Sequence, residues 1–179
     1  MASILNTYSI HFKGLKVGKH TFNFEVNDAF FEAFEEGEIK HGKLNVDLKL
    51  NKQNQMIDLN IAIDGTVEVT CDRCLEEFDI PIFYIGSLYV KFSETRSDED
   101  SEIIILSTDD SEINLSQYIY ESICLSLPIQ RYHGMKGTKS KCNKEMLAKL
   151  KSLSVNNPKK ENDDEIDPRW SKLKDIELN

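Results

Sequence analysis

The sequence predicts an α+β protein, with an antiparallel β-sheet or partly open barrel in its N-terminal half and short helices mainly towards the C-terminus. Three observations predict it. Apolar and polar residues alternate with period two through residues 43–50 and 56–69, as in strands with one buried and one wet face. Gly14, Gly18 and the polar run 51–54 fall where hairpin connections are needed. Further on, Leu115, Tyr118, Ile119, Ser122, Ile123 and Leu127 recur at helical spacing.

The elements follow in order. Residues 7–12 and 20–26 alternate and read as strands. Asn27 or Asp28 caps a short helix through Phe30, Phe31 and Phe34, which Gly37 ends. The strands at 43–50 and 56–69 come next, the second running straight into Cys71. Residues 78–92 form another long strand, and Pro81 places its start at an edge or a bulge. Residues 93–102 are acidic and polar, a mobile loop on composition. The run 103–106 is a short strand or a helix fragment, which periodicity cannot decide. Asn114 then caps the main helix, with Gln117 completing a variant capping box and Pro128 stopping it. A loop with glycine and lysine spans 131–142, and a short basic helix spans 143–150 with Met146, Leu147 and Leu150 along one edge. Residues 1–150 thus form one α+β domain, and 151–166 a flexible polar linker. The tail 167–179 begins Asp167-Pro168-Arg169-Trp170, a good helix start, and its Leu173 and Ile176 give it a face to dock on the domain.

Composition bounds the class. The chain has 179 residues, 40% hydrophobic and 30% charged, which suits a globular domain with a real core. No stretch approaches the apolar length of a membrane span, and the N-terminus lacks a basic region followed by an apolar core. Four cysteines in such a chain are expected as thiols or metal ligands in a reducing compartment, and the cytoplasm is the expected location. The net charge of −9 is unevenly spread. Residues 131–160 hold nine lysines and arginines against Glu145 alone, a net +8, so the remainder carries −17. A solvated lysine-rich loop accounts for this segment; phosphate contact is the sharper alternative.

The words around the first cysteine pair carry more information. Cys71-Asp72-Arg73-Cys74-Leu75-Glu76, followed by Phe78, sits between two strands. Ile113-Asn114-Leu115 leads through Glu121 to Leu125-Ser126-Leu127-Pro128-Ile129, and Asp167-Pro168-Arg169-Trp170 is followed by Leu173. In this order the three elements resemble the YceD family, the large ribosomal RNA subunit accumulation proteins. The resemblance spans residues 71–173. It implies a role in ribosome biogenesis or rRNA stability and no enzymatic activity. Many members carry a second Cys-x-x-Cys-Gly cluster after the Leu-Pro segment. This chain instead has His133 and Cys142 there, within Arg131-Tyr132-His133-Gly134-Met135-Lys136-Gly137-Thr138-Lys139-Ser140-Lys141-Cys142.

Cys71, Cys74, His133 and Cys142 are the right residue types for a tetrahedral Cys₃His site holding one structural zinc ion. The long spacing from His133 to Cys142, through glycines and lysines, gives no geometric help. The plain alternative is a hairpin with two free thiols beside an unrelated loop. A dithiol redox pair is disfavoured, because such pairs begin at a helix N-terminus. Cys124 falls mid-helix and reads as a packed small hydrophobe. His11, His20 and His41 have no carboxylate at readable spacing, and no catalytic constellation stands out, so an enzyme is not expected. Aromatic and basic residues meet at Arg131-Tyr132-His133, so RNA or partner contact is expected through Arg131, Tyr132, Lys136, Lys139, Lys141 and Lys144. The expected partner is large-subunit rRNA, or a basic ribosomal protein or assembly factor. No membrane and no small-molecule substrate is expected. A zinc-stabilised protein–protein adaptor without a ribosomal role is the other reading.

Overall fold

A computed structural model describes residues 4–34, 37–92, 103–138 and 140–154. Five strands, β2 (Gly18–Val26), β3 (Gly42–Lys52), β4 (Met56–Thr70), β5 (Glu77–Phe92) and β6 (Ile103–Leu106), form one sheet in that order. Two short strands, β1 (Ser9–His11) and β7 (Glu112–Asn114), pair separately. A 3-10 turn (Ile4–Tyr8) precedes them. Helices α1 (Asp28–Glu32), α2 (Ser116–Leu125) and α3 (Lys144–Leu153) complete the chain's elements among the described residues.

The architecture is α+β, and the large sheet stays open: its order ends at β2 on one side and β6 on the other, so no barrel closes. Strands β2 to β5 pair antiparallel, but β6 lies parallel to the end of β5, with Tyr89 opposite Ile103. This resolves the 103–106 run as a strand and makes the sheet mixed. A run of four apolar residues with no alternation carries no signal of direction; only its long-range partner decides it.

The period-two pattern is realised in the register. Val46 faces Ile63, Leu48 faces Ile61 and Leu50 faces Leu59, all fully or nearly fully buried. On β5, Phe78, Ile80, Ile82, Leu88 and Val90 continue the same face. Tyr8, Ile10, Phe30, Phe31, Ile113, Leu115, Ile119 and Ile123 join these side chains in one hydrophobic cluster. Phe30 meets Tyr8 edge-on at 4.7 Å, and Phe34 stacks on Tyr120 at 4.1 Å, geometries that favour aromatic pairs. Gly65 allows β3 and β4 to close: its φ is +151°, and a Cβ there would meet the Lys43 carbonyl and lie 2.6 Å from Leu44 Cα.

Local capping differs from expectation in detail. The Asn27 side chain makes no cap bond; Asp28 Oδ1 instead accepts from the Gly42 N–H at 2.9 Å. Leu115 is the N-cap residue of α2, and Asn114 Oδ1 accepts from the Ser116 N–H and hydroxyl. Gln117 bonds forward to Glu121 at 2.7 Å instead of closing a capping box. Two of the histidines do have carboxylate partners: His11 with Glu112 at 3.2 Å and His41 with Asp28 at 3.1 Å. The acidic loop 93–102, the linker beyond 154 and the tail 167–179 lie outside the described residues. No helix among the described residues is long and apolar enough to cross a membrane.

Candidate metal centre

Strands β4 and β5 form a hairpin of 15- and 16-residue strands, and residues 71–76 make its tip. The Leu75 N–H donates to the Cys71 carbonyl and the Cys71 N–H to the Glu76 carbonyl, both at 2.9 Å. Leu75 takes a left-handed φ of 60°, uncommon for a branched residue and a cost of about 1–2 kcal/mol. The reversal leaves Leu75 outside and turns both cysteines inward, with Cys71 fully buried and Cys74 nearly so.

A second segment closes over this tip. The Asp72 N–H donates to the Arg131 carbonyl at 2.7 Å, and the Arg131 N–H returns a bond to Asp72 Oδ2 at 2.5 Å. His133 is buried against Phe78, ring centroids 4.4 Å apart. Gly134 and Gly137 adopt φ of +88° and +93°, and a Cβ on Gly137 would press within 2.7 Å of Pro81 Cγ. These left-handed turns bend residues 133–138 beside β5, where Gly137 meets Pro81, a help that spacing alone did not reveal. Thr138 fixes the loop, its hydroxyl accepting from the Gly134 N–H and donating to the Met135 carbonyl. Asn143 then caps α3 through the Glu145 and Met146 N–H groups and donates to Glu76 Oε1 at 2.7 Å.

The result brings the four predicted ligand residues together. One donor atom from each of Cys71, Cys74, His133 and Cys142 lies within 4.8 Å of all the others. Cys71 and Cys142 sulfurs are 3.8 Å apart, and Cys74 sulfur is 3.3 Å from His133 Nδ1. Two thiolates bound at about 2.3 Å around a tetrahedral zinc stand about 3.8 Å apart, the separation that the Cys71 and Cys142 sulfurs show. The donor set is compatible with a structural metal site.

Electrostatics at the cluster point the same way. Burial pushes the Cys71 thiol up, but the N–H groups of Cys74, Arg73 and His133 together outweigh it and hold it down to about 6. Burial, and then the adjacent Cys71 and Cys74 sulfurs, push the Cys142 thiol up to about 11. Sulfurs this close repel as anions, and a divalent cation among them removes the conflict.

The residues predicted to bind RNA or a partner divide into two groups. Arg131 Nη1 pairs with Glu38 at 2.6 Å, and its Nε is buried with no hydrogen-bond partner among the described residues. The Tyr132 ring lies 3.8 Å beneath the Arg73 guanidinium. Lys136, Lys141 and Lys144 are exposed, and Lys139 falls outside the described residues. Sequence reasoning missed Asp72, Glu76 and Glu38, which clamp the segment; a carboxylate next to a turn carries no mark of its distant partner.

Fold and site together define an open-sheet α+β protein with a Cys₃His cluster at a hairpin tip and a basic segment fastened over it. A family model described as large ribosomal RNA subunit accumulation protein YceD matches residues 59–177, from within β4 through both cysteine-bearing segments and beyond. The chain belongs to that family. No curated protein and no solved structure matches it.

Proposed function

We propose that this chain supports the accumulation or stability of large-subunit rRNA by binding rather than catalysis. On this reading Cys71, Cys74, His133 and Cys142 hold one structural zinc ion, which fixes the basic segment 131–151 against the hairpin. The observation that carries the reading is the convergence of four donors on the loop that carries Lys136 and Lys141 and leads into α3. The family description supplies the process. Zinc would supply a cross-link, since four protein donors leave no open position for a substrate.

Exposed Lys136, Lys141 and Lys144 on a fixed frame favour phosphate contact, and Lys139 joins them as a cation by its place in the sequence. Tyr132 and Arg131 belong to the frame. The partner is large-subunit rRNA, or a basic ribosomal protein or assembly factor drawn to the acidic remainder of the chain. The place of action is the cytoplasm, where thiols stay reduced. A second reading, a zinc-stabilised adaptor without a ribosomal role, draws on the outer sheet face, where Phe83 and Ile85 are 71% and 69% exposed.

Metal binding on this account has a definite pH dependence. With the Cys142 thiol at about 11, it is protonated at neutral pH and must lose its proton to bind zinc. Affinity therefore rises with pH, and falls more steeply below about 6, where Cys71 also takes up a proton. Calorimetry in buffers of different ionisation enthalpy is expected to find net proton release on zinc binding at neutral pH. The ribosomal reading itself is tested by gradient sedimentation. The protein is expected to travel with precursor large-subunit particles, and its deletion to lower large-subunit rRNA relative to small-subunit rRNA. Absence of both effects leaves the adaptor reading.

A further inference from the structure

Helix α3 is amphipathic, yet none of its ten residues is buried. Met146, on the same apolar stripe, packs against the core. Leu147, Leu150 and Leu153 stand on the rest of it, 36%, 54% and 74% exposed. Residues three apart share one side of a helix, and on that wheel Lys149 borders one margin while Lys144 and Lys151 border the other. A ten-residue helix is marginal without tertiary packing, so this stripe calls for a cover.

We propose that the cover is the chain's own C-terminal segment, residues 161–176, with Trp170, Leu173 and Ile176 laid against Leu147, Leu150 and Leu153. The two apolar sets have the same spacing, so a helical tail presents a matching stripe. Charge favours the pairing: residues 161–176 hold six acidic side chains against Arg169, Lys172 and Lys174, a net −3 concentrated in 161–167, and α3 offers lysines on both margins. Length permits it. The 16 residues between Leu153 and Trp170 extend to about 50 Å, well beyond the roughly 15 Å length of α3. Tethering keeps the local concentration of the tail near the millimolar range, so a small apolar contact suffices. The other exposed apolar patch, Phe83 and Ile85 on β5, is the poorer host. Asp64 stands directly opposite Phe83 there, and it repels an acidic segment. This inference is independent of any contact with rRNA.

Trp170 is the only tryptophan in the chain, so its fluorescence reports on the tail alone. In the full-length protein its emission is expected to be blue-shifted, and acrylamide quenching several-fold weaker than for N-acetyltryptophanamide, at all protein concentrations. Leu147→Asp/Leu150→Asp, whose parent side chains lie outside the core, is expected to restore nearly free quenching. Lys149→Glu/Lys151→Glu, which keeps the apolar stripe and the helix, is expected to weaken the protection, as is added salt. Phe83→Asp is expected to leave it unchanged. The proposal is overturned if Trp170 is freely quenched in the unaltered chain. It is also overturned if protection survives Leu147→Asp/Leu150→Asp, and its loss in Phe83→Asp instead places the tail on the sheet. Protection that appears only as concentration rises would assign the stripe to a second copy and overturn it equally.

Discussion

Replacing Cys74 with serine is expected to abolish metal binding and release residues 131–143 from the hairpin tip. Cys74 is nearly fully buried with its sulfur 3.3 Å from His133 Nδ1, so the change removes one of the four clustered donors. With free zinc about 1,000-fold above its dissociation constant, the bound metal contributes about 4 kcal/mol to stability. For a chain of this size that corresponds to a fall of roughly 8–16 °C in melting temperature. Thermal unfolding with and without chelator checks it: the chelator should lower the unaltered protein to the level of the variant and leave the variant where it is. Hydrogen exchange should locate the change. Amides of 131–143 should lose protection while the centre of β3 and β4, with its fully buried Leu48 and Ile63, keeps it. A variant destabilised equally with and without zinc would mean that Cys74 acts only by packing.

The second large effect is expected from charge reversal in the fastened segment. Lys136→Glu/Lys141→Glu/Lys144→Glu changes three exposed residues and touches no buried one. If each lysine meets a phosphate, the variant should lose about 1 kcal/mol per lysine, roughly 100-fold in affinity for large-subunit rRNA fragments. The slope of log affinity against log salt should shrink by about 2, near 0.7 for each single-stranded phosphate that is no longer neutralised. Arg131→Ala should behave differently. Its guanidinium is engaged with Glu38, so the change should lower stability and leave the salt slope nearly unaltered. An unchanged slope in the triple variant would move RNA contact away from this segment.

The legible parts of the fold are those governed by local pattern. Alternation in 43–50 and 56–69 appears directly as β3 and β4, because one face of each strand is buried and the other is wet. The basic helix at 143–150 was readable from its apolar spacing, but its Asn143 cap was not read, and α3 runs on to Leu153, into the segment read as linker. Direction and closure were not legible. The parallel seat of β6 and the open edges of the sheet depend on partners far along the chain. The same division runs through the site. Cys71 and Cys74 announce themselves by spacing, and His133 and Cys142 by residue type. Whether all four meet depended on left-handed turns at Gly134 and Gly137 and on clamps from Asp72 and Glu76. A single acidic side chain beside a turn reads as solvated charge until its partner 59 or 67 residues away is known. His11 and Glu112 were hidden in the same manner, joined only by the pairing of β1 with β7.

Four side chains from two distant segments are proposed to hold one zinc ion and so to fasten the basic segment to the hairpin. Metal analysis of the full-length protein, purified without chelator, tests it most directly. One zinc per chain is expected, with none retained in Cys71→Ser or Cys142→Ser. A folded, unaltered protein carrying no stoichiometric zinc would contradict it.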